Sequence, residues 1–163
     1  MRQLIVAVLT ACVALHATNA QQTKKPAKAA GGAAPASDIE FLQPYGPTAR
    51  PFSPAVRVGK LLYLAGQMGT SPSAAGGVVP GGIAAETRQV MENIKDVLAK
   101  VGSSMDRVVK CTVFLADMKE WDAMNEVYKT FFANGRYPAR SALGASGLAL
   151  NGRVEIECIA VLP

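Results

Sequence analysis

Arg153-Val154-Glu155-Ile156-Glu157-Cys158-Ile159-Ala160-Val161-Leu162 alternates with a period of two. That is the pattern of a β-strand, whose successive side chains point to opposite faces. Val154, Ile156, Cys158 and Ala160 share one face; Glu155, Glu157, Ile159 and Val161 share the other. Both faces carry apolar residues, so the strand belongs inside a sheet that needs cover on two sides. Outward from it, residues 107–115 form a second such strand, with Val109, Cys111 and Val113 alternating against Lys110, Thr112 and Phe114. Residues 55–58 and 61–65 are β-prone runs split by Gly59-Lys60, a two-residue hairpin signal. Residues 141–143 fit a short further strand.

Two helices lie between these strands. Residues 84–101 place Val90, Met91, Ile94, Val97, Leu98 and Val101 on one stripe, with Arg88, Glu92, Lys95 and Asp96 opposite, and Gly102 follows as a stop. Asp117 opens the second helix with Glu120 as its capping partner, and Arg136-Tyr137-Pro138 ends it. Its stripe of Trp121, Met124, Tyr128 and Phe131 reads as core packing rather than as an aromatic binding box. The order β-β-α-β-α-β-β predicts an α+β fold: a single mixed sheet with both helices packed on one face. The other face, apolar as well, predicts association between copies.

The chain has 163 residues, half of them hydrophobic and 18% charged, which suits one folded domain. Its single histidine is His16. Once an N-terminal leader is removed no histidine remains, which excludes Ser-His-Asp and Cys-His relays and histidine-ligated metals. From Glu40 onward, 13 basic and 11 acidic side chains leave a net charge of +2, so the pI of about 9.3 comes largely from the N-terminal segment. No cationic stripe of the kind nucleic-acid binding needs is present in the domain.

Met1-Arg2-Gln3 followed by a twelve-residue, mostly apolar run at positions 4–15 reads as an export signal, too short to be a stable membrane span. Thr18-Asn19-Ala20 offers a cleavage site, and Leu9-Thr10-Ala11-Cys12 has lipobox order, so Cys12 is an alternative lipidated start. The predicted division is a signal peptide at 1–20, an Ala/Lys/Gly/Pro tail at 21–39 and a domain at 40–163, in an exported protein, periplasmic or secreted. Cys111 and Cys158 read as small core hydrophobes; a disulfide between them depends on whether their strands are neighbours.

No phosphate loop, CxxC, HExxH or acidic metal cluster occurs. Two features carry chemistry. Arg140, at the mouth of a short strand, is placed to grip a planar anion bidentately, or else is a surface arginine. Glu155 and Glu157 are two like charges on one face of a core-like strand, costly unless they meet a cation, water or work.

These residues sit in a longer pattern. Phe52-Ser53-Pro54-Ala55-Val56-Arg57-Val58-Gly59 is followed by Tyr63-Leu64-Ala65-Gly66-Gln67, then Val109-Lys110-Cys111-Thr112-Val113-Phe114-Leu115-Ala116-Asp117-Met118, Asn125-Glu126-Val127-Tyr128, Pro138-Ala139-Arg140-Ser141 and Val154-Glu155-Ile156-Glu157-Cys158-Ile159-Ala160-Val161. Over about residues 44–161 this resembles the RidA (YjgF) family. The resemblance implies a chorismate-mutase-like subunit, a homotrimer with clefts between subunits, and hydrolysis of 2-imino acids to 2-oxo acids and ammonia, without cofactor or metal. The alternative is a non-catalytic binder of small carboxylates. RNA cleavage or translation inhibition, an activity sometimes attributed to the family, is disfavoured by the near-neutral domain and the absent histidine, and no nucleic-acid partner is expected. It implies that Arg140 pairs with the substrate carboxylate and that Glu155 positions or deprotonates water. Gly66 would bring backbone close to the ligand, and Asn125 matches a polar position near the cleft. Phe52 stands where the family commonly has Tyr, Ala65 where it has Ser and Ala142 where it has Cys. The expected pocket is therefore more apolar.

Overall fold

A computed structural model describes residues 38–47 and 49–163. The expected signal segment, the lipobox Cys12 and most of the tail lie outside the described residues.

The strands are β1 (Ile39–Leu42), β2 (Ala55–Val58), β3 (Leu61–Leu64), β4 (Gln67–Met68), β5 (Val108–Leu115), β6 (Ala139–Gly144) and β7 (Val154–Val161); the helices are α1 (Gly82–Lys100) and α2 (Trp121–Tyr128). One sheet runs β1-β2-β3-β7-β5-β6, with β4 also paired to β7. All pairings are antiparallel except β5 with β6, which are parallel. A parallel pair needs a crossover, and α2 with its flanking 3-10 turns supplies it. The expected single mixed sheet with two helices is thus the observed architecture.

α1 lays Val90, Met91, Ile94, Val97 and Leu98 against the sheet, all fully or almost fully buried, and Gly102 ends it with a φ of +83°. Beneath them lie Leu62, Cys111, Val113, Leu115, Val154, Ile156, Cys158 and Ala160. The opposite face keeps apolar surface open. Tyr63 is 44% exposed and pairs in register with Ile159, on the side that bears Glu155 and Glu157.

Several local readings change. β1 extends the sheet by an edge strand that the hairpin signal did not include, and its Glu40 sits opposite Arg57 and ion-pairs with it. A register shift between Val108 and Lys110 buries Val108 and turns Val109 outward, so Val109 does not share the Cys111 face. Asp117 accepts from the Lys119 amide at 2.9 Å, but Glu120 does not complete a capping box; its carboxylate turns to Arg153. The second helix is accordingly shorter than its apolar stripe, ending at Tyr128 and continuing as 3-10 turns.

β5 and β7 are neighbours, Cys111 faces Cys158, and the two form a disulfide. The sequence had left that pairing open, because strand adjacency is not written in spacing. Among the described residues no helix is long and apolar enough to cross a membrane, and no group of three or more His, Cys, Asp or Glu is placed to hold a metal ion.

Candidate active site

Arg140 is the second residue of β6 and lies in register with Cys111 on β5. It therefore points to the helix side of the sheet, where α2 meets it. Its Nη1 donates to Asn125 Oδ1 at 2.6 Å. The guanidinium carbon lies 4.7 Å from the Tyr128 ring centre and 5.2 Å from that of Trp121. Asn125 and Tyr128 come together because positions four and seven after Trp121 fall on one helical face. The half-buried guanidinium forms no ion pair with an acid among the described residues. A cavity of about 420 Å³ opens on it, lined by Asn125, Tyr128, Lys129, Tyr137, Pro138 and Arg140. An arginine cradled by aromatic faces and one amide, with no acid beside it among the described residues, has the chemistry to take an anion.

Tyr128 adds a donor. Its hydroxyl is buried with no partner, and burial pushes its pKa up to about 12 against the opposing pull of Arg140. The phenol stays protonated over the whole physiological range. Reading the Trp121 and Tyr128 stripe as core packing was half right: Tyr128 is buried, yet both rings also frame the arginine. The spacing of Trp121, Asn125 and Tyr128 was the available signal, but nothing local shows that Arg140 sits opposite it.

Glu155 belongs to the other half of the site. It pairs in register with Phe114 on β5 and Met68 on β4, so it points to the open face. A Cβ built on Gly66 would fall 2.0 Å from Glu155 Oε1 and 2.9 Å from its Cδ. The carboxylate thus lies directly on the Gly66 backbone, and any other side chain there would displace it. The Glu155 pKa is raised, first by burial and then by the negative charge of Glu157. Lys110, on the same face of β5, gives its Nζ to Ser141 at 2.7 Å. A half-buried carboxylate whose pKa is raised by burial and a neighbouring acid is a candidate for proton transfer.

The structure brings Arg140 to Asn125, and Glu155 to Gly66, but within one chain the two pairs lie on opposite faces of the sheet. Cys111 and Phe114, their register partners on β5, are three residues apart and so project oppositely. Ala142 follows Arg140 on the helix side and packs, half-buried, against the core. Phe52 is 49% exposed ahead of β2, with the Arg50 guanidinium 5.9 Å from its ring centre, and does not line the arginine cavity.

An α+β subunit with a mixed sheet, a parallel β5–α2–β6 crossover and a cavity opening on Arg140 defines the class. Residues 45–162 match the family model Endoribonuclease L-PSP, and the chain belongs to that family, the RidA (YjgF) family of the sequence reading. The 2-iminobutanoate/2-iminopropanoate deaminase of Mus musculus is 45% identical over 111 residues, 68% of this chain and 81% of that protein. A RutC family protein of Pyrococcus horikoshii is 44% identical over 110 residues, 68% of this chain and 86% of its own length. Among solved structures, the Rid family protein YyfA of Yersinia pestis superposes with a TM-score of 0.69 at 33% identity, covering 76% of this chain and 99% of that one. RidA from an Antarctic Psychrobacter gives 0.66 at 34% identity, covering 75% and 98%.

Proposed function

We propose that the protein is an imine deaminase that hydrolyses 2-imino acids, or their enamine tautomers, to 2-oxo acids and ammonia in a cleft between two copies of the chain. The observation that carries this is the unpaired Arg140 guanidinium held between Trp121 and Tyr128 beside a cavity of about 420 Å³. The deaminase names of relatives at about 45% identity support the reaction class. Arg140 takes the substrate carboxylate through two parallel N–H···O bonds and so orients the adjacent C=N carbon. Water adds to that carbon while Glu155 of a neighbouring copy accepts one of its protons and returns it to the nitrogen, giving a carbinolamine. The remaining hydroxyl proton then passes to the same nitrogen by way of Glu155, so that the C–N bond breaks, ammonia leaves and the carbonyl forms. The imine is already electrophilic, and the step balances with water as the sole co-reactant.

The opposite directions of Arg140 and Glu155 and the apolar open face around Tyr63 and Ile159 support a cleft between copies in a homotrimer. Phe52 and Ala65 carry no hydroxyl, which favours imino acids with larger or less polar side chains. The apolar run and small-residue site read at positions 4–20 support an exported protein, periplasmic or secreted. Trp121 is the chain's single tryptophan, so 2-oxobutanoate seated on Arg140 should change its fluorescence saturably. Imine generated in situ by an amino-acid oxidase should then be consumed faster with the protein than without it. Saturable binding with no turnover would make the protein a carboxylate binder instead.

A further inference from the structure

Glu86, in the second turn of α1, is the fully buried charged side chain among the described residues. Its Oε2 accepts the backbone N–H of Arg153 at 2.7 Å, and its Oε1 lies 3.9 Å from Arg153 Nε. Arg153 is the residue just ahead of β7, two before Glu155. Its own carbonyl accepts the Ala116 amide at 3.0 Å, and its Nη1 pairs with Glu120, the residue before Trp121. On its other side Glu86 lies against the residue after β4: a Cβ on Gly69 would stand 3.0 Å from Glu86 Cα and 3.1 Å from its Cβ. Gly69 follows Met68, which pairs with Glu155. Glu86 therefore reaches the residues that flank both strands, Arg153 just ahead of β7 and Gly69 just after β4, and Arg153 carries the connection to the turn that opens α2.

We propose that Glu86 is a positioning residue for the hydrolytic half of the site: by fixing the Arg153 amide and packing on Gly69 it sets where the Glu155 carboxylate lies, while the Arg153–Glu120 arm ties that setting to the Trp121–Tyr128 wall around Arg140. Burial of a carboxylate is costly unless its oxygens are used, and here one takes the Arg153 amide and the other faces that residue's guanidinium rather than a core contact. The inference rests on the reading of Glu155 as the group that activates water.

The test compares Glu86→Asp, Glu86→Gln and Glu155→Gln in steady-state imine hydrolysis, with 2-oxobutanoate affinity read from Trp121 fluorescence. Glu86→Asp keeps the charge but withdraws the acceptor by about one C–C bond, ~1.5 Å. Displacement on that scale should lower kcat about 10- to 100-fold. KM and the 2-oxobutanoate affinity should hold, because Arg140 is untouched. Glu86→Gln keeps reach and a carbonyl acceptor and should recover most of kcat. A merely structural glutamate would instead lower the melting temperature in both variants and leave kcat alone, and that result would overturn the inference. Loss of kcat in Glu155→Gln without loss in Glu86→Asp would overturn it while leaving the Glu155 reading standing; unchanged kcat in Glu155→Gln would remove both. If Glu86→Asp does not fold, Glu120→Ala decides. It leaves both the Arg153 amide and the Arg153 guanidinium on Glu86 and removes only the arm to the turn before α2, so KM should rise with kcat held. A kcat loss instead would assign the positioning to the Glu120 arm and overturn it for Glu86.

Discussion

The two faces of the sheet obey different physics. On the helix side Leu62, Val113, Leu115, Val154 and Ile156 are fully buried, and Arg140, half-buried there, is wrapped by two rings and an amide. On the open side Tyr63, Val109 and Leu143 remain 44–45% exposed, and the acids Glu155 and Glu157 sit among them. The first face can be completed by one chain. The second holds a carboxylate whose pKa is raised by partial burial, and apolar surface that gains from further cover. The comparison teaches that within one chain Arg140 and Glu155 are kept apart by the thickness of a sheet; under the proposed function, a second copy brings them face to face.

The sharpest way to break this comparison is to disable one face at a time. Glu155→Gln should lower kcat by about 10²–10⁴-fold, the usual worth of a general base, with 2-oxobutanoate affinity retained in the Trp121 titration. Arg140→Ala should do the reverse in binding, abolishing the fluorescence response and lowering kcat/KM by about 10²-fold or more, since two charge-assisted bonds are lost. If Arg140→Ala hydrolyses imine normally, the helix side is not the anchoring side.

Stability should divide in the same way. Ile94→Ala, under the fully buried α1 stripe, should cost about 2–5 kcal/mol in chemical denaturation. Ile159→Ala on the open face should cost less in the isolated subunit and act chiefly on association, read as a shift in mass by analytical ultracentrifugation. A large subunit destabilisation from Ile159→Ala with unchanged mass would break the distinction.

The smallest expected effect is on pH. Because the Glu155 pKa is raised, a base role requires the acid limb of the kcat profile to lie above the ordinary glutamate range. Glu157→Gln removes the second cause of that elevation and should move the limb to lower pH, leaving the part due to burial. Linkage has a definite sign here: a folded pKa above the unfolded one favours the protonated native state, so this group's contribution is present at low pH and lost as pH rises through the folded value.

Much of the fold was legible because its signals are local. The alternation in β7, the 3.6-residue stripe of α1 and the Gly59-Lys60 hairpin depend on neighbours within a few turns of chain. β1 was not, since a four-residue edge strand with Phe41 71% exposed leaves little hydrophobic pattern to read. The outward turn of Val109 was hidden for a related reason: a bulge breaks periodicity without changing composition.

By itself the sequence determined the class of fold, the family pattern and the two residues of chemical interest, Arg140 and Glu155, because strand and helix periods and ordered motifs are properties of the chain. Tertiary structure alone decided that Cys111 meets Cys158, that Trp121 and Tyr128 enclose Arg140, that Gly66 carries the Glu155 carboxylate, and that the two charges look away from each other. Each of these is a contact between segments distant in sequence, fixed by strand order and register, and register is settled by the packing of a whole sheet rather than by any stretch of residues.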